Sequence, residues 1–87
     1  MNLHCWKYED KNGSEIYKLI LEKQGVQWTS EIARKLNIEE ELYCEIVKKH
    51  NGINHNHWLS SVFKTEQDVN KLIIELEPYL IMANLTE

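Results

Sequence analysis

His50, His55 and His57 crowd into eight residues of this chain, and His4-Cys5 adds two more potential ligands near its start. Imidazole and thiolate hold zinc and related ions, so metal chemistry would begin at these five positions. The spacing argues against it. No acidic or cysteine partner falls at a regular ligand interval, and a polar loop with solvent-facing histidines accounts for the run. We therefore expect no metal and no cofactor. Catalytic signatures are missing as well: there is no glycine-rich phosphate loop, no nucleophile elbow and no helical pair of zinc-binding histidines. Glu75 and Glu77 would lie on different helical faces, so no paired carboxylates arise there, and no catalytic residue is assigned. Cys5 and Cys44 are too few for a disulfide framework and read as reduced, buried thiols.

The elements that would position any site come from a chain of 87 residues, the size of a single domain (1–87). At 43% hydrophobic and 28% charged, with one proline, the composition excludes a disordered or low-complexity polypeptide. Trp6, Trp28, Trp58, Phe63 and the four tyrosines are spread along the whole length and should anchor its packing. No apolar run is long enough to span a bilayer and no signal-peptide pattern opens the chain, so a cytoplasmic protein is expected. Charge is uneven. Residues 1–37 hold six Lys/Arg against five Asp/Glu, for +1, whereas residues 38–87 hold four against nine, for −5.

Leu3 to Tyr8 suits a short strand, and Glu9 to Gly13 a turn. Ser14 is a good N-cap, and Ile16, Leu19, Ile20 and Lys23 share a helical face ahead of Gly25, which predicts a helix over 15–24. A hairpin competes with it, because Asn12-Gly13 is a strong type I′ turn signal. Thr29 or Ser30 should cap a helix ending near Leu36, with Asn37 as the turn. A helix over 39–50 presents Leu42, Tyr43, Ile46 and Val47 inward and stops at Asn51-Gly52. Trp58 to Phe63 reads as a strand able to pair with Leu3 to Tyr8. Thr65 and Asp68 resemble a capping box opening a helix at 66, with Val69, Leu72, Ile73 and Leu76 buried and Leu80 and Ala83 extending that face. Pro78 predicts a break or a kink near Glu75 to Glu77. Ile74, Ile81 and Leu85 lie about seven apart off the main stripe, where they either finish the core or form the seam of a homodimer.

The segment Thr29-Ser30-Glu31-Ile32-Ala33-Arg34-Lys35-Leu36-Asn37-Ile38, followed by Tyr43 and Ile46, resembles the helix-turn-helix of winged-helix proteins. Ala33 supplies the small residue at the close approach, and Asn37 stands at the turn position where glycine is usual. The resemblance covers residues 14–63 and implies a mainly α (α+β) fold. Its parts would be a three-helix helix-turn-helix core, a short two-stranded β element and a long, kinked C-terminal helix over 65–85.

In DNA-binding members the second helix enters the major groove, and the residues implied as phosphate contacts here are Arg34, Lys35, Lys48 and Lys49. The N-terminal end of that helix instead carries Glu39, Glu40 and Glu41, with Glu45 a turn later. Duplex affinity comes largely from neutralised phosphates, so four carboxylates at this place oppose it. Acids also favour the positive end of any helix, which makes a solvated face the plain alternative. Two functions follow as expectations. The first is a non-enzymatic regulatory or inhibitory module that binds another protein through Glu39, Glu40, Glu41 and Glu45. The alternative is a dimeric helix-turn-helix transcription regulator, paired through Ile74, Ile81 and Leu85. Neither involves a membrane.

Overall fold

A computed structural model describes residues 1–54 and 61–86. The chain opens with two long strands, β1 (Asn2–Glu9) and β2 (Glu15–Lys23), paired antiparallel from Asn2 opposite Glu22 to Glu9 opposite Glu15. Residues 15–24 are thus largely strand, not helix. Leu19, Ile20 and Leu21 are at most 2% exposed, and three consecutive buried residues mark a strand covered on both faces. Leu19 and Leu21, with Tyr17, Leu3 and Cys5, pack toward the helices, while Ile20 points to the opposite side. Good helix formers here yield to two-sided burial.

The connecting loop is not the type I′ turn that Asn12-Gly13 suggested. Gly13 N–H donates to the Asp10 carbonyl (3.0 Å) and Asp10 N–H to the Ser14 carbonyl (2.9 Å), while Gly13 takes φ +79°. This is a three-residue loop, a type I turn closed by a left-handed glycine. The Asp10 carboxylate accepts from the backbone N–H groups of Asn12 and Ser14 and holds it. The I′ geometry occurs one hairpin later. Gln24 and Gly25 both have positive φ (51° and 81°) and link β2 to β3 (Val26–Trp28). Gly25 ends a strand by the same conformational freedom that suggested a helix stop.

β2 is central. β1 covers one of its edges, while the other is shared by β3, opposite residues 21–23, and β5 (Ser61–Phe63), opposite Tyr17 and Lys18. β4 (Ile53–Asn54) then pairs with β5, giving the antiparallel order β1-β2-β5-β4 with β3 beside β2. Leu3–Tyr8 and the segment ending at Phe63 therefore lie on opposite edges of β2 and do not pair with each other. The fold is α+β with the long strands first. It has neither a trihelical core over 14–63 nor merely two short strands.

Among the described residues three helices cover one face. α1 (Ile32–Lys35) is a single turn preceded by Glu31 at φ 60°, so neither Thr29 nor Ser30 caps it. Its exit is a Schellman motif: Asn37 is left-handed at φ 57°, Ile38 N–H donates to the Ala33 carbonyl and Asn37 N–H to that of Arg34. α2 (Glu40–Lys49) ends the same way, with Asn51 at φ 63° and Gly52 N–H bonded to the Val47 carbonyl. α3 (Glu66–Leu85) starts at Thr65, whose hydroxyl accepts from Asp68 N–H at 3.2 Å.

Pro78 lies inside one continuous α3, not at a break. It is exposed, so the Ile74 carbonyl that loses its helical donor lies on the outer side. Val69, Leu72, Leu76 and Ala83 are buried, as their spacing predicts, and share one core with Leu19, Leu21 and Phe63 of the sheet and Tyr43 and Val47 of α2. Leu42, expected inward, is 39% exposed, and Trp6 stands half out on the sheet.

Candidate protein interface

Glu39 precedes α2 in an extended conformation, and Glu40 and Glu41 fill its first turn, where the positive end of the helix dipole favours acids. Glu45 follows one turn after Glu41. All four are exposed, and among the described residues none is engaged in an ion pair. Leu42 sits among them as an apolar side chain that the core does not take up. Tyr43, Ile46 and Val47 bury the opposite face and hold the helix rigidly on the sheet.

The C-terminal end of α2 is clamped to α3. His50 Nε2 lies 2.8 Å and Lys49 Nζ 3.0 Å from the same Glu75 oxygen, while Asn51 Nδ2 donates to Asp68 Oδ1 at 3.3 Å. The His50 ring and the Lys49 ammonium hold the Glu75 carboxyl below the usual glutamate range. Two of the other basic positions are engaged too. Arg34 reaches Glu31 at 3.5 Å, and the Lys35 ammonium stands 4.1 Å over the Trp28 ring. Of Arg34, Lys35, Lys48 and Lys49, three are thus drawn into contacts within the chain.

The outer face of α3 carries a second surface. Ile74 (68% exposed), Ile81 (52%) and Leu85 (76%) stand in solvent and do not finish the core. Met82 (64%) joins them, a residue the sevenfold spacing missed although it follows Ile74 by eight and so falls on the same face. On the sheet face away from the helices, Trp6 and Tyr8 lie 6.2 Å apart between ring centroids, with the Lys18 ammonium 5.1 Å over the tyrosine.

Among the described residues the remaining reactive groups do not converge. β1 and β5 lie on opposite edges of β2, so the strand pairing expected to bring His4 and Cys5 toward the other histidines does not form, and His4 lies 3.9 Å from Glu22 while His50 lies 2.8 Å from Glu75. His55 and His57, like Trp58, lie outside the described residues. Among those described, no three His, Cys, Asp or Glu side chains are placed to hold a metal. Cys5 and Cys44 are half-buried free thiols, and burial followed by the charge of Glu66 raises the Cys5 pKa. Burial likewise raises that of the Tyr43 phenol, with Ser61 opposing. No helix among the described residues is long and apolar enough to cross a membrane.

Comparison with protein-family models, with curated proteins and with solved structures yields no match to this chain. The winged-helix resemblance is corrected by the fold itself: the α1–α2 pair exists, but a β-hairpin stands where the first helix of a trihelical core would be.

Proposed function

We propose that this protein is a non-enzymatic binding module that regulates or inhibits another protein by presenting the acidic N-terminal half of α2 to a basic surface. The supporting observation is the exposed set Glu39, Glu40, Glu41 and Glu45, without ion pairs among the described residues and grouped around exposed Leu42. Carboxylates already neutralised within the chain would offer a partner little. Unpaired ones steer a cationic surface from a distance, and a central apolar side chain adds desolvated contact once the surfaces meet.

Capture of the tagged, full-length chain from nuclease-treated native lysate tests the reading when it is run beside the variant Glu40→Lys/Glu41→Lys/Glu45→Lys. A protein held in stoichiometric amount by the wild type, weakened by added salt and lost from the variant, is the expected result. Equal retention by both forms would overturn it. Retention of nucleic acid alone, without nuclease, would favour a DNA-binding regulator.

A further inference from the structure

Ile74, Pro78, Ile81 and Leu85 are spaced 4, 3 and 4 residues apart along the outside of α3, and Met82 flanks them. That is the spacing of a two-stranded helical seam, and all five side chains are exposed. The helix needs no rearrangement to offer it, because its inner face is already fixed on the sheet by Val69, Leu72 and Leu76. From this we infer that α3 is a self-association surface, on which a second copy of this chain lays its own α3 antiparallel about a two-fold axis.

The occupant and its direction follow from the pattern. A 4-3-4 spacing reads the same in both directions, so a two-fold axis midway between residues 78 and 81 sets Ile74 against the partner's Leu85 and Pro78 against the partner's Ile81. No charged side chain lies on the seam between residues 74 and 85. Charge supports the same arrangement. The next seam position toward the N-terminus is Lys71, exposed, and in this register it reaches just past the partner's Leu85, at a helix end whose last turn holds no basic side chain. Beside the seam, Glu77 meets the partner's Asn84 and not another acid. Parallel pairing would instead oppose Lys71 to its own copy and align the two helix dipoles. A seam of five side chains on one helix is expected to bury on the order of a few hundred Å², below the roughly 800 Å² per partner of a standard interface, so the dimer is reversible and concentration-dependent.

The test uses the full chain and no other component. Sedimentation from about 5 to 500 μM should show the mass rising from 10.4 kDa toward twice that value, with Ile74→Glu/Ile81→Glu monomeric throughout. Because both positions are exposed, the variant should keep the wild-type circular dichroism spectrum, and the melting temperature of the wild type at the dilute end of the range, where both are monomers. Orientation is read by mixing Ile74→Cys with Leu85→Cys under mild oxidation. The expected product is the mixed disulfide between positions 74 and 85, identified by peptide mass. A wild type that stays monomeric at every concentration, or a preference for Ile74→Cys homodisulfide, overturns the proposal. So does a face that proves to hold a different protein while the chain remains monomeric. The outcome is independent of the acidic end of α2, so either surface can fail alone.

Discussion

Gly52 is buried at the exit of α2, and a Cβ placed there would come within 2.5 Å of both a Phe63 ring carbon and a Val47 methyl. Both neighbours are fully packed core residues with nowhere to move. Gly52→Ala should therefore cost about 2 kcal/mol by overpacking, read as a lowered urea midpoint with unchanged slope. The Asn51-Gly52 stop was legible in the sequence as a helix end, but the closeness of Phe63 was not, because it depends on a strand ten residues away. Glu75 gives a prediction in pH. His50, then Lys49, lower its pKa in the folded state, so its stabilising contribution is full above the ordinary glutamate value of 4.5 and is lost as pH falls below it. Between pH 6 and pH 3.5 the wild-type urea midpoint should fall further than that of Glu75→Gln. Equal falls would show that the clamp contributes nothing. Side chains that act locally were readable, as with Thr65 at the start of α3 and left-handed Asn37. Glu31 was not, since nothing in a glutamate signals φ 60°.

At the scale of elements, β2 carries the main lesson. Ile16, Leu19, Ile20 and Lys23 do fit a helical stripe, but Leu19-Ile20-Leu21 is also an unbroken apolar run, and its central place between β1, β3 and β5 decides between the two. Partners distant in sequence choose the structure of this segment, so its local periodicity does not decide it. The helices α2 and α3 were legible because a single periodicity defined each buried face. Gly25 supports the hairpin directly: its φ is +81° and no atom lies within 4 Å of an added Cβ. Gly25→Ala should thus lose about 1 kcal/mol through backbone conformation alone. A loss no larger than at an exposed strand position would contradict the I′ turn as the device that reverses the chain there.

Across the whole molecule, the two candidate surfaces belong to different helices and different physics: carboxylates around Leu42 on α2, and an apolar seam on α3. The sequence holds the features from which both are proposed, the concentration of negative charge in residues 38–87 and Ile74, Ile81 and Leu85 off the main stripe. It could not indicate that Leu42 and Met82 belong to them, because exposure at those places depends on how each helix is rotated against the sheet. Independence of the surfaces is itself testable, since substitutions more than a contact apart should act additively. The most direct measurement is a parallel nuclease-treated capture with wild type, Glu40→Lys/Glu41→Lys/Glu45→Lys and Ile74→Glu/Ile81→Glu. The α2 variant alone should lose the protein partner, while the α3 variant keeps it. Full retention of the partner by the α2 variant would contradict the assignment of the acidic end of α2 as the binding surface.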